Sequence, residues 1–146
     1  MKEKHDYAKQ GKKNRAAGVR FEAKVRADLE NMGWIIDKWT NTIDYEREGK
    51  IGKLVPAKRK YNPFMKAMII GAGFPDFVAF KKAKENFEVI GVEVKKKGYL
   101  NPIERGMCCW LLENKIFSKI LIAKAIQEKR TIKIEYVNFQ EKYKNE

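Results

Sequence analysis

Phe74-Pro75-Asp76-Phe77-Val78-Ala79-Phe80 and Phe87-Glu88-Val89-Ile90-Gly91-Val92-Glu93-Val94-Lys95 are the two stretches that decide how this chain folds. Both are rich in β-branched and aromatic residues and have strand length. The six residues between them, 81–86, are polar and read as a turn. If that turn sends the chain back antiparallel, Asp76 falls opposite Gly91 to Glu93. Side chains two apart on a strand share a face, so Asp76, Glu93 and Lys95 converge at one end of the hairpin. Gly91 is expected to leave that face open beside them. Two carboxylates and an ammonium on an otherwise apolar hairpin are costly unless they pair or bind a metal. A cross-strand Asp76–Lys95 ion pair without further function is the plainer alternative.

Glu-x-Lys by itself carries little here, since it also occurs at Glu22/Lys24, Glu48/Lys50 and Glu113/Lys115. Context separates the copies. Glu93 and Lys95 sit in a convincing strand, whereas Glu113 and Lys115, two apart on a helix, would diverge. Pro75-Asp76 is the only Pro-Asp pair in the chain.

Outward from the hairpin, Asn101-Pro102-Ile103-Glu104 opens a helix with an Asn cap, a first-turn Pro and a Glu three residues after the cap. The pattern carries that helix to Lys115, with Ile103, Met107, Trp110 and Leu111 as its buried stripe. Ile120–Ala125 and Thr131–Val137 read as two more strands, and 138–146 as a polar tail. Upstream, Phe21, Val25, Leu29 and Met32 recur at helical spacing, so Asn14–Met32 reads as a helix stopped by Gly33. Trp34–Trp39 is a first strand. Residues 40–73 form a basic insertion with Pro56 and Pro63; its length marks it as functional or as hiding a hairpin or short helix. Residues 1–13 read as a basic flexible arm. The whole, 1–146, reads as one domain of α/β class, a mixed β-sheet flanked by helices in the order α-β-β-β-α-β-β once the insertion is set aside.

The 146 residues carry 32 Lys+Arg against 19 Asp+Glu, a net charge of +13. That excess points to a polyanionic partner, nucleic acid first. One histidine, His5, and one serine, Ser118, leave a Ser-His-Asp triad almost nowhere to form. The adjacent Cys108 and Cys109 supply neither a disulfide framework nor a zinc cage and read as small core residues. The longest run without a charged residue is nine, from Ala67 to Pro75, too short to span a bilayer. With no apolar leader after the basic start, the cytoplasm is the expected location and no membrane the expected partner. Chemistry therefore rests on carboxylates, lysines and a hard metal ion.

The basic residues nearest that chemistry are Lys96 and Lys97 after the hairpin, Lys58, Arg59 and Lys60 in the insertion, and Lys12, Lys13 and Arg15 before the first helix. Lysines outnumber arginines 25 to 7, which suits diffuse phosphate contacts better than bidentate base readout.

Pro75-Asp76 with Glu93-Val94-Lys95 resembles the PD-(D/E)XK nuclease signature, and the α-β-β-β-α-β order resembles that superfamily's restriction-endonuclease-like core. Within it, the chain is most similar to archaeal Holliday junction resolvases and virus-type replication-repair nucleases, which carry a Glu in the first helix, here Glu22. The likeness covers about residues 14–125, with an insertion longer than in a minimal junction resolvase. It implies that Asp76, Glu93 and the Val94 carbonyl hold Mg2+, with Mn2+ as a substitute, and that Lys95 positions the attacking water or steadies developing charge. It implies a catalytic role for Glu22 and places Glu104 where the replication-repair nucleases have a Gln. From residues alone, Glu22 pairing with Arg26 and Glu104 serving as a helix cap stand as alternatives.

The expected function is a magnesium-dependent DNA endonuclease acting on branched or structured DNA. A non-catalytic basic nucleic-acid-binding module is the rival. The resemblance also implies a homodimer, and the apolar block Met107–Leu112 is the expected interface.

Overall fold

β7 shows why the chain folds as it does. In a computed structural model, which describes residues 7–45, 51–57, 59–62, 66–70 and 73–144, β7 spans Asn86–Val94 and buries Ile90, Gly91, Val92 and Glu93 in succession. A strand buried on both faces belongs at the centre of a sheet covered on both sides. Its neighbours are β6 (Phe77–Ala83), antiparallel, and β8 (Lys119–Glu128), parallel. β1 (Ile35–Lys38) closes one edge against β6, and β9 (Thr131–Asn138) closes the other against β8. The result is a mixed five-stranded sheet in the order β1-β6-β7-β8-β9.

α1 (Tyr7–Asn31) lays Phe21, Val25 and Leu29 over one face, against Ile36, Phe77, Ala79, Ile90, Val92 and Ala123. The Tyr136 hydroxyl donates to Asp28 at 2.6 Å and ties the helix to β9. α2 (Pro102–Glu113) covers the other face with Met107, Cys108 and Leu111, packed with Phe117, Ile120 and Ile122. α2 is the crossover that lets β8 run parallel to β7. Its start is the expected one: Asn101 accepts from the Glu104 amide, and Glu104 accepts from the Asn101 amide, a reciprocal cap worth about 1 kcal/mol.

Several boundaries differ from the sequence reading. α1 begins at Tyr7, so residues 7–13 of the expected arm are helical. Helix-favouring Lys, Gln and Ala extend the helix without any apolar periodicity. Nothing from Tyr7 to Arg20 is buried, so this basic segment projects beyond the core as a rod rather than a coil. Met32 is 49% exposed, because the helix has already ended. Ile103 is 59% exposed and Cys108 fills the stripe in its place. Cys109 faces solvent, against the expectation that both cysteines are core. Apart from Cys109, the apolar block of α2 packs inside the chain, with Trp110 and Leu112 partly buried on that core. The tail from Asn138 turns into α3 (Phe139–Lys142), whose Phe139 is buried; residues 145–146 lie outside the described residues, as do 1–6.

The insertion is two antiparallel hairpins, β2 (Asn41–Tyr45) with β3 (Ile51–Pro56), and β4 (Arg59–Asn62) with β5 (Ala67–Ile70). Ile43 and Leu54 join the α2-side core. The chain returns to β6 through Gly73, where an added Cβ would stand 2.2 Å from the Trp39 carbonyl oxygen and 2.6 Å from that of Asn41. Backbone cannot yield there as a side chain can. Gly18, in the exposed part of α1, has open space around a Cβ. Thermal melts should separate the two glycines. Gly18→Ala gains about 0.5–1 kcal/mol of helix propensity and raises Tm by roughly 2 °C. Gly73→Ala lowers it by about 5 °C or more, as overpacking against backbone demands. Equal melting of Gly73→Ala and wild type would contradict the close approach.

A carboxylate pair at the end of the central hairpin

The Phe77↔Val92 register places Asp76 opposite Glu93, one step beyond the end of β6. Instead of continuing the main-chain ladder, the Asp76 side chain takes it over: Oδ2 accepts from the Val94 amide at 2.8 Å. The Asp76 carbonyl in turn accepts from the Trp39 amide at 3.1 Å, which ties the start of β6 to the end of β1. Alternation along β7 sends Ile90 and Val92 to the α1 core and leaves Val89, Gly91 and Glu93 on the α2 side.

Glu93 is 5% exposed, the one charged residue that is buried among the described residues. Its Oε2 has no hydrogen-bond partner. Burial pushes this carboxyl up to about 11, reinforced by a hydrogen bond with Asp76 and by the charge on Asp76. Without a cation, Glu93 therefore keeps its proton at neutral pH.

Lys95 stands beside them and donates to Glu104 at 2.7 Å. Burial pulls its pKa down, but the Glu104 hydrogen bond and the charges of Glu104, Glu93 and Asp76 outweigh it and hold Lys95 above its usual value. It stays an ammonium. Glu104 thus does two things at once, capping α2 and gripping Lys95. The residues alone gave the cap, and the resemblance gave Glu104 a place in the helix after the site; its grip on Lys95 could not be read, because nothing local tells which strand end an N-terminal turn will meet.

Glu22 approaches from the α1 side. Burial and the nearby Asp76 charge raise its pKa, partly offset by Lys38, whose Nζ lies 3.9 Å from Glu22 Oε2. Arg26 is not its partner: that guanidinium pairs with Glu30 at 2.9 Å and donates to the Ile36 carbonyl. Lys38 was missed, since only the end of β1 arriving beside α1 reveals it. Gly91 does not open the face beside the carboxylates. A Cβ there would stand 2.8 Å from Pro75 Cγ and 3.1 Å from the Phe117 ring, so those two groups fill the space.

Asp76, Glu93, Val94, Lys95 and Glu22 therefore come together at one end of the sheet. Among the described residues, no group of three His, Cys, Asp or Glu side chains forms a ready metal cage. The donor set is two carboxylates and the Val94 main chain. That suits a hard divalent ion that keeps several waters better than zinc, and the orphaned Glu93 Oε2 is the atom such an ion would satisfy. The Cys108 thiol, pushed up by burial and by Glu93, is no nucleophile.

The basic residues singled out from the sequence spread more widely. Lys96 and Lys97 are exposed in the turn just after β7. Lys12, Lys13 and Arg15 are exposed on the projecting half of α1. Arg59 and Lys60 lie on β4, and Lys58 lies outside the described residues. No helix among the described residues is long and apolar enough to cross a membrane. No protein-family model matches the chain, and no significant match links it to a curated protein or a solved structure.

The proton held by Glu93 has a measurable consequence. Its folded pKa lies above the ordinary carboxylate value, so the folded chain binds more protons than the unfolded one from about pH 4.5 upward. Stability of the metal-free protein then falls as pH rises, by at most about 1.4 kcal/mol per pH unit from this group. Glu93→Gln removes the titration. In EDTA, wild type should lose several degrees of Tm relative to Glu93→Gln between about pH 5 and pH 8. Parallel profiles would show that Glu93 ionises freely.

Proposed function

We propose that this protein is a magnesium-dependent DNA endonuclease of the PD-(D/E)XK type, built on a restriction-endonuclease-like core and acting on branched or structured DNA. The observation that carries this reading is the juxtaposition of Asp76 and Glu93, one hydrogen-bonded to Val94 and the other buried with an orphaned oxygen. Burying a carboxylate against a second, half-buried one costs several kcal/mol unless a cation offsets it. The element order supports the reading as well: α1, β1, β6, β7, α2 and β8, with β8 parallel to β7 and two hairpins inserted after β1.

Asp76, Glu93 and the Val94 carbonyl would hold the ion, with water completing its shell. Bound there, Mg2+ or Mn2+ supplies charge to polarise the scissile phosphate and acidify a water. Lys95, kept cationic by Glu104, steadies the charge that grows on the phosphate or positions the attacking water; it is not a general base. Glu22, half-buried beside Asp76, orients water from the α1 side. The products implied are a 5′-phosphate and a 3′-hydroxyl. The rival, a non-catalytic binding module, accounts for the net charge of +13 but leaves Glu93, buried against a second carboxylate, without a purpose.

Cutting both strands of a junction calls for two sites related by a two-fold axis, so the reading includes a homodimer on that substrate. Sedimentation equilibrium of the complex should give the mass of one junction plus two 17.1 kDa chains; a junction carrying a single chain would contradict the dimer.

Cleavage assays on labelled junction, flap, duplex and single-stranded DNA test the whole. In Mg2+, Asp76→Asn and Glu93→Gln should each lose cleavage while still binding DNA, because affinity rests on lysine–phosphate contacts. Glu22→Gln should cut roughly 100-fold more slowly with its melting temperature little changed. Wild-type rates in either Asp76→Asn or Glu93→Gln would overturn the assignment.

A further inference from the structure

β7 ends at Val94, paired with Ala123. β8 runs on through Lys124–Glu128, five residues past that pair, about 17 Å at a strand's rise. β9 returns alongside it from Thr131. The β8–β9 hairpin therefore overhangs the sheet end that carries the carboxylates. α1 overhangs the same end: its C-terminus leads into β1, which runs toward Asp76, so its N-terminal half points past the site.

Between the two overhangs lies a groove of about 410 Å³, lined by Ala17, Arg20, Phe21 and Lys24 of α1, by Lys96, and by Arg130, Thr131 and Ile132 of the hairpin. Four of these residues are cationic and none is a carboxylate. The Lys24 ammonium donates to the Ile132 carbonyl and joins helix to hairpin. Arg20, Lys96 and Arg130 are exposed, and among the described residues none of the three has a side-chain hydrogen bond or ion pair within the chain. Three uncompensated cations brought together from three separate segments repel one another. A polyanion relieves that repulsion.

We propose that this groove is a phosphate-backbone subsite that holds the DNA strand being cut, a few nucleotides from the scissile bond. The inference rests on the endonuclease reading and adds to it a specific path for the substrate. Lys95 and Lys96 are consecutive, one gripped beside the carboxylates and the other lining the groove. A strand seated on Lys96, Arg20 and Arg130 is thereby delivered to Asp76 and Glu93. The floor of Ala17, Phe21 and Ile132 suits deoxyribose. A lining of four cations with no carboxylate suits the phosphates of a strand, whichever bases it carries.

The test is DNA binding by fluorescence anisotropy in EDTA, over a salt series, with a labelled junction and a labelled duplex. Arg20→Gln/Arg130→Gln removes two groove cations at exposed positions. The control Lys82→Gln/Lys84→Gln removes two exposed cations from the tip of the β6–β7 hairpin, one at the end of β6 and one in the turn, at the opposite end of the sheet. The groove variant should bind at least ~10-fold more weakly and lose about two from the slope of log K against log salt. In Mg2+ it should show a raised KM with a saturating rate near wild type. The control should stay within about two-fold of wild type on every measure. Wild-type binding by the groove variant, or equal weakening in the control, overturns the groove and leaves the endonuclease reading standing. A wild-type chain that neither binds nor cuts DNA overturns both.

Discussion

Asp76 accepts the amide proton of Val94 at 2.8 Å, and most of what is distinctive in this chain depends on that bond. It lets a side chain finish the β6–β7 ladder where the main chain turns away. In doing so it fixes Asp76 directly across from Glu93. At 2.8 Å the bond has the geometry of a strong N–H to carboxyl contact. Around it the other elements are fastened one by one: β1 through the Trp39 amide, α1 through Glu22 and Lys38, and α2 through Glu104 and Lys95.

The same arrangement is electrostatically expensive. Glu93 keeps a buried oxygen without a partner, and Glu22 and Glu93 are both held above their ordinary pKa by burial and by Asp76. Apolar side chains at these places would stabilise the fold more. Perturbed acids gathered at one end of a sheet, flanked by an ammonium that its own neighbours keep charged, are the pattern expected where chemistry rather than stability selects residues. Net charge fits the same purpose. The cations that pair internally serve the fold, while Arg20, Lys96 and Arg130 face outward together on the side where two segments overhang the acids.

How much of this was legible in the sequence follows from how local each signal is. The β6–β7 hairpin, with Asp76 opposite Glu93, could be read because strand alternation and a short polar turn set its register. α2 could be read because its cap is written in four consecutive residues, Asn101 to Glu104. For the insertion, length alone suggested a hidden hairpin or short helix, but neither the choice between them nor the presence of two hairpins could be read, because Lys and Asn are poor strand formers and no sustained alternation marks the strands. The early start of α1 at Tyr7 escaped because the signal there is propensity, not periodicity. At the site, the second role of Glu104, the approach of Lys38 and the filling of the Gly91 face by Pro75 and Phe117 are all long-range. They depend on which strand end meets which helix end, and no spacing along the chain encodes that. Arg20, Lys24 and Arg130 were missed for the same reason, since they belong to elements more than a hundred residues apart.

The central claim is that Glu93 holds a proton beside Asp76 that a divalent cation displaces. Isothermal titration of Mn2+ into the metal-free chain at neutral pH, in two buffers of different ionisation enthalpy, tests that most directly. The account predicts binding that releases close to one proton per ion and that disappears in Asp76→Asn. Absence of binding at millimolar Mn2+, or binding that Asp76→Asn and Glu93→Gln leave unchanged, would contradict it.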